Sequence, residues 1–308
     1  MTTRHWKDYL ARRIMFLFCS IFLSLGFFMI FMLYQRSKPI FALIPLQDLL
    51  FSSNWHPTRG EFGLASFITG TLWVTIIAIA MAVPLSVLTA IYLAEYAPRT
   101  LREFLKPLID LLAGISPVIY GVWGMIAVVP WVRDSLMPFV TERLPSVFPF
   151  RSENYTGFSA LAGGIVLAIM TFPMIIALVG EVLQGVPFGI KESSLALGAT
   201  HWQAIKGAVL KRAWPGIIAA IILGLSRALG ETMAVLMVAG CSLGNFPKSI
   251  FDSAYPLPAL IANTYGEMMS VPLYDAAILS AAFILLIVTL LFNMAGWGIL
   301  LRMERSQL

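Results

Sequence analysis

Six runs of apolar residues, each long enough to cross a bilayer as a helix, dominate this chain and leave little freedom in what it can fold into. They lie near Ile14–Leu33, Phe67–Ala94, Leu105–Val132, Phe158–Val182, Trp214–Gly240 and Tyr274–Leu301. A hydrocarbon core of roughly 30 Å takes about 20 residues of helix. No water reaches that core, so a spanning run must satisfy its own backbone N–H and C=O groups by forming a helix. Composition agrees. Of the 308 residues 59% are hydrophobic and 12% charged, whereas a soluble domain carries about 25% charged residues. The expected fold is all-α: a polytopic membrane helix bundle with about six transmembrane helices.

Charge sets the expected sidedness. The first run follows Arg4, Lys7, Arg12 and Arg13, as a signal peptide would. Its apolar stretch of about 20 residues exceeds a signal's apolar region, and no Ala-x-Ala site follows, so it reads as an uncleaved anchor. With the N-terminus inside, the inner segments hold 13 Lys and Arg, including Arg99, Arg102, Lys106, Lys191, Lys206, Lys211, Arg212, Arg302 and Arg305. The opposite side holds seven: Arg36, Lys38, Arg59, Arg133, Arg143, Arg151 and Lys248. This bias puts both termini in the cytoplasm. It also accounts for the net charge of +5 without nucleic acid. The expected division is a cytoplasmic tail (1–13), a first transmembrane helix (14–33), an outer, periplasmic loop (34–66), a core transmembrane domain (67–301) with a cytoplasmic segment near 187–212, and a cytoplasmic tail (302–308).

The outer loops carry Pro145, Pro149, Pro247, Pro256 and Pro258 and leave no room for a separate soluble domain. Trp55, Trp123, Trp131 and Tyr274 fall near run ends, where interfacial aromatic anchors are expected. Pro84, Pro117 and Pro173 sit inside runs. Two readings of them stand: bends that open a path between helices, or prolines that membrane helices simply tolerate. Cys19 and Cys241 have no metal-ligand neighbours in sequence and make no disulfide framework.

Two stretches carry chemistry. The first is the segment between runs four and five, Glu192-Ser193-Ser194-Leu195-Ala196-Leu197-Gly198-Ala199-Thr200-His201-Trp202, preceded by Pro187 and closed by Pro215. Leu195, Ala199, Trp202, Ile205 and Val209 recur at helical spacing, which predicts one amphipathic helix with Lys191, Glu192, His201, Gln203 and Lys206 opposite. Such a helix lies on the membrane surface or offers its face to a partner. Gly198 weakens it, which makes sense where the chain turns or another backbone comes close. The second stretch is Ser226-Arg227-Ala228-Leu229-Gly230-Glu231-Thr232 in run five. Arg227 and Glu231 are four residues apart, so they lie on one helical face, where each offsets the other's charge. Arg227 is 13 residues past Trp214, about 20 Å along such a helix and so near mid-membrane. A charge there is costly, and intramembrane charges commonly mark a substrate path. A mere ion pair facing a polar bundle interior is the other reading. A guanidinium fork suits a tetrahedral oxyanion such as phosphate, because it donates in parallel to two oxygens.

The Glu-x-x-x-x-x-Gly pattern of Glu192 and Gly198 resembles the EAA loop of ABC importer permeases. Ser193 and Ser194 stand where that family has two alanines, and Lys211 where it usually has proline. The stretch Arg227–Val235 resembles the matching helix of PstC-type phosphate permeases. So do Phe51-Ser52-Ser53-Asn54-Trp55-His56-Pro57, Phe62-Gly63, Gly70-Thr71-Leu72 and Ile115–Gly124. The resemblance implies a type I ABC importer permease in the bacterial inner membrane. It implies a phosphate path through Arg227, Glu231 and Thr232, and coupling to the ATPase through Glu192, Ser193, Ser194, Gly198, Ala199 and Trp202. The implied partners are a PstA-type sister permease, two PstB-type ATPase subunits and a PstS-type phosphate-binding protein outside. ATP and Mg would belong to the ATPase, with no cofactor or metal on this chain.

Other classes are less well served. The chain has no Gly-x-x-x-x-Gly-Lys-Ser/Thr loop, so ATP energy has to come from a partner. An intramembrane enzyme lacks a base: His5, His56 and His201 all lie outside the runs, and neither His-Glu-x-x-His nor Gly-x-Ser-x-Gly occurs. A secondary anion transporter commonly shows two related halves, and none is evident. A permease for a related oxyanion, sulfate or molybdate, stays open, because the physics of the arginine fork does not separate them.

Overall fold

The computed structural model describes residues 2–143, 154–244, 246–267 and 270–305. Pro145, Pro149, Arg151 and Glu153 of the expected outer loop, and the last three residues, lie outside them. In chain order the elements are α1 (Thr2–Leu43), α2 (Leu46–Phe51), an antiparallel pair β1 (Trp55–His56) and β2 (Glu61–Phe62), α3 (Ala65–Tyr96), α4 (Arg99–Gly114), α5 (Pro117–Val140), α6 (Ala160–Gln184), α7 (Phe188–Ala196), α8 (His201–Leu229), α9 (Met233–Val238), α10 (Leu257–Thr264) and α11 (Tyr274–Arg305). Among the described residues five helices are each long and apolar enough to cross a membrane: α1, α3, α6, α8 and α11. A sixth crossing arises when α4 and α5, bent by 91° at their junction, count as one.

That bend corrects the third apolar run, which is not one straight span. Ile115 and Ser116 are extended, with ψ of 137° at each, and Pro117 opens the next helix. Proline disfavours helical geometry in the residue before it and fits the first turn of the helix after it. Pro117 therefore starts a helix where a kink was one expectation. Upstream, α4 carries Arg99, Arg102, Glu103, Lys106 and Asp110. So many charges suit the end of a bundle, not its lipid-facing middle.

The fifth run is also not one helix. α8 ends at Leu229 and α9 begins at Met233. Pro215, expected to close the preceding segment, lies inside α8, which runs on from His201; a membrane helix accommodates it because nearby groups re-satisfy the freed carbonyl. Wide, π-type turns occur at Tyr92–Tyr96, Gly124–Val128, Val132–Leu136 and Ile205–Val209.

α6 sits at the centre. It is apolar on every side, as a fully enclosed helix should be, and 72% of its spanning window is buried. Ser159 caps it by accepting the Ala162 N–H at 3.2 Å. Against α6 lies α3, whose Val74, Ala78, Ala82, Ser86 and Ala90 recur every four residues and are all buried. Small side chains at that spacing let two backbones approach, which supplies the dispersion contact that must replace hydrophobic driving force in lipid. The Ser86 hydroxyl donates across to the Phe172 carbonyl at 3.3 Å. On the α6 side, a Cβ at Gly164 would sit 2.5 Å from Ile77 Cγ2.

A second, smaller cluster gathers at one end of α1, α3 and α11. Trp55 packs edge-on against Phe62 and Phe67 at 5.6 and 5.2 Å and approaches Tyr274 at 6.3 Å. Trp55 and Tyr274 are thus buried in this cluster and do not serve as interfacial anchors, whereas Trp123 and Trp131 are exposed. The Leu257 N–H donates to Thr71 Oγ1 at 2.9 Å, tying this end of α3 to α10. By contrast α1 buries little beyond Ser37 and Ile40 and leaves Phe16 and Phe22 open, as a helix bathed in lipid does.

Substituting leucine at Gly164 forces α3 off α6. The expected outcome is a loss of about 1–3 kcal/mol, read as a lower unfolding temperature of the detergent-purified protein, with Gly180→Leu, which meets nothing within 4 Å, close to wild type.

Candidate translocation site and docking segment

The expected Arg227–Glu231 pair does not form. Arg227 lies in the last turn of α8, whereas Glu231 lies in the break after it, between Gly230 and Thr232. The turn tightens there: the Gly230 N–H donates to the Arg227 carbonyl at 3.2 Å and the Glu231 N–H to Ala228 at 3.3 Å. With the helix ended, a spacing of four residues no longer stacks side chains on one face. Glu231 instead turns on itself, its Oε1 accepting the Thr232 N–H at 3.2 Å, and Thr232 Oγ1 donates to the Gly230 carbonyl at 3.2 Å.

Arg227 is exposed, with Nη1 donating to Met174 Sδ at 3.6 Å, from α6 one residue past Pro173. Among the described residues no ion pair holds this guanidinium. It shares its exposed strip of α8 with Leu223 and is followed by exposed Gly230 and Met233. An arginine on an apolar helix is costly wherever it faces hydrocarbon. Its place at the C-terminal end of α8 favours the charge, because the unsatisfied carbonyls there carry partial negative charge. Neighbouring polar groups hold α8 in position. Ser226 Oγ donates to Asn293 Oδ1 at 2.6 Å, linking α8 to α11.

The segment after α6 departs from the single amphipathic helix expected of it. It is a helical hairpin, α7 turning into α8. Gly198 has φ +86° and carries the turn. Its N–H donates to the Leu195 carbonyl at 2.9 Å, and the Ala199 N–H donates to Ser194 at 3.3 Å. This pairing of the last carbonyls with a left-handed residue is the Schellman stop. Immediately afterwards Thr200 starts α8 with a capping box: Thr200 Oγ1 accepts the Gln203 N–H at 3.3 Å and Gln203 Oε1 accepts the Thr200 N–H at 2.9 Å. Both signals are in the sequence, as Gly198 and as Thr-x-x-Gln, but the apolar spacing across them suggested continuity. Ile205 and Val209 accordingly go into the bundle core, while Leu195 and Trp202 stay exposed. Glu192, Ser193 and Gly198 are exposed, and Ser194 and Ala199 are half-buried. Phe188 and Leu197 project at 69% and 90% exposure, so the hairpin presents apolar side chains beside Glu192 at one end of the bundle.

Two contacts that sequence spacing could not reveal fasten this hairpin to α3. Lys191 Nζ donates to Glu95 Oε2, and the ring of His201 meets that of Tyr96 edge-on at 5.0 Å.

An apolar bundle with five helices long enough to cross a membrane among the described residues, and an exposed hairpin at one end, has the make-up of a polytopic membrane protein. Residues 83–302 match the family described as binding-protein-dependent transport system inner membrane component. The chain belongs to that family. It is 38% identical over 263 residues to the phosphate transport system permease protein PstC of Xylella fastidiosa, covering 84% of this chain and 80% of that one. It is 35% identical to the probable PstC of Methanocaldococcus jannaschii, over 81% of this chain and 80% of the relative. It is also 35% identical to the probable ABC transporter permease protein YqgH of Bacillus subtilis, over 80% and 74%. Solved structures share the fold: a bacterial alginate ABC transporter with its pentasaccharide-bound periplasmic protein (TM-score 0.56, 15% identity, 94% of this chain and 95% of that one). The inward-facing MetNI methionine ABC transporter matches at TM-score 0.53 and 20% identity, over 78% and 94%.

Nothing lies within 4 Å of a Cβ added at Gly198, so the cost of a side chain there is purely conformational. Gly198→Ala is expected to destabilise the hairpin turn by about 1 kcal/mol and Gly198→Asn by less. Hydrogen exchange of the amides of residues 195–200 checks this, with faster exchange in the alanine variant.

Proposed function

We propose that this chain is the permease subunit of an ATP-driven phosphate importer and translocates phosphate by alternating access. The observation that carries this reading is Arg227: a guanidinium on an apolar helix, exposed in the isolated chain and held by no carboxylate among the described residues. A fork left free in this way can take a tetrahedral oxyanion in two parallel hydrogen bonds. Relatives that carry the PstC name favour phosphate over sulfate or molybdate. Thr232 and Glu231 sit in the same break. The hydroxyl can donate to a passing oxyanion, and the carboxylate repels one and so limits how tightly it is held.

The exposed strip around Arg227 is best covered by a sister permease, so that the path forms between two subunits. The hairpin built on Gly198 docks an ATPase subunit, which binds ATP and Mg; this chain holds neither. A loaded binding protein delivers phosphate at the opposite end, where Trp55, Tyr255 and Tyr274 cluster. The Lys and Arg bias puts the hairpin and both termini in the cytoplasm. Closure of the ATPase pair moves the hairpin. The bundle then opens the path outward, and release of the ATPases lets phosphate leave inward past Arg227.

Arg227→Gln keeps length and polarity but removes charge. It is expected to lower phosphate uptake about tenfold or more, the loss of a charge-assisted hydrogen bond, while the transporter co-purifies intact. Uptake at the wild-type rate removes Arg227 from the path, and competition by sulfate or molybdate in the wild type reassigns the anion. Gly198→Asp is expected to let ATP hydrolysis continue without uptake in proteoliposomes. Full coupling in that variant counts against docking at the hairpin.

A further inference from the structure

The hairpin has two covalent routes into the bundle, through Val186 and Pro187 into α6 and through its own continuation into α8. The structure shows a third that is not covalent. The Lys191 ammonium and the Glu95 carboxylate pair with side chains only 18% and 10% exposed. Lys191 belongs to α7 and Glu95 to the wide last turn of α3, 96 residues earlier. The Tyr96–His201 ring contact lies one residue along on α3 and reaches the first turn of α8. Behind Glu95, Arg102 of α4 locks the same turn: its Nε donates to the Leu93 carbonyl at 2.8 Å and its Nη2 to Ala94 at 2.7 Å. The end of α3 is therefore a fixed seat, closed by Arg102 on one side and joined to the hairpin by the charged pair and the ring contact on the other.

We infer that the Glu95–Lys191 pair is the tether through which movement of the docking hairpin is passed to α3. The rest of α3 suits that role. It packs along the central α6 for most of its length. Its far end holds α10 through Thr71, and a Cβ added at Gly70 would sit 3.2 Å from the Tyr255 backbone. A shift entering at Glu95 thus has one helix, Ala65–Tyr96, to travel along, and the segment at the far end, from Tyr255 to Leu257, is joined to it. A largely buried charge pair is also an unusual choice if packing alone were needed. Apolar residues of similar volume hold two surfaces together as well or better. A charged pair instead enforces one partner and one geometry.

Lys191 and Glu95 are positioning residues on this account, and neither touches the anion. The inference rests on the reading of the hairpin as an ATPase-docking element. The test is phosphate imported per ATP hydrolysed by the complete transporter in proteoliposomes, supplied with phosphate-loaded binding protein. Glu95→Gln and Lys191→Met should each lower that ratio about fivefold or more, with ATP hydrolysis continuing and subunits co-purifying in normal amounts. The charge-swapped double variant, Glu95→Lys with Lys191→Glu, should recover most of the ratio. Single variants that keep the wild-type ratio overturn the inference. So does a swapped variant that assembles normally yet stays uncoupled, and this arm remains decisive if the single variants fail to assemble. Failure of the underlying reading shows elsewhere, in the wild type: uptake indifferent to ATP sinks both, whereas ATP-driven wild-type uptake with coupled Glu95→Gln sinks the tether alone.

Discussion

An unpaired backbone amide or carbonyl has no water to turn to in hydrocarbon, and the architecture follows from that one cost. It makes every crossing a helix, and it decides where a helix can stop. The chain interrupts its helices at Ile115–Ser116 and at Gly230–Thr232, and at both places the freed groups find partners. Ile115 donates back to Leu112, Tyr120 Oη donates to the Leu112 carbonyl, and Gly230 and Glu231 donate to the carbonyls of Arg227 and Ala228. A helix break of this kind is tolerated where protein or a polar path covers it. The second break lies beside Arg227, so one demand for cover serves the backbone and the guanidinium together.

With hydrophobic driving force absent between helices in lipid, contact quality takes its place. At Val74 the four-residue stripe on α3 faces Gly163 and Gly164 of α6, and the resulting close approach makes these two helices the axis about which α5, α8 and α9 are arranged. Rigidity there contrasts with the hairpin, where Gly198 and the Thr200–Gln203 box turn the chain sharply with few neighbours of its own. The hairpin is defined by the caps at its turn and by its contacts with the end of α3. That leaves its outer side free for another protein and its inner side tied to α3 through Glu95.

Much of this was legible from residue order. Apolar length announced the helices, and Gly198 marked a turn or close approach; the turn is what forms. The family resemblance carried by residues 51–57, 115–124 and 227–235 agrees with the family match. Periodicity misled where punctuation should have prevailed. Leu195, Ala199 and Trp202 keep helical spacing across a Schellman stop, and Arg227 and Glu231 keep it across a helix end, so each set was assigned one face it does not share. Trp55 and Tyr274 looked like interfacial anchors because they lie at run ends, but aromatic packing with Phe62 and Phe67 draws them inside.

By itself the sequence determined that the chain carries apolar runs long enough to span a membrane and that an arginine stands within one of them; these depend on transfer energies, which are summed locally along the chain. Only the tertiary structure decided that Arg227 and Glu231 part company, that the third run bends by 91°, and that Lys191 finds Glu95 across 96 residues. Those outcomes depend on which backbone groups are freed at a helix end and which side chains arrive beside them, and neither quantity is carried by the spacing of residues along the chain.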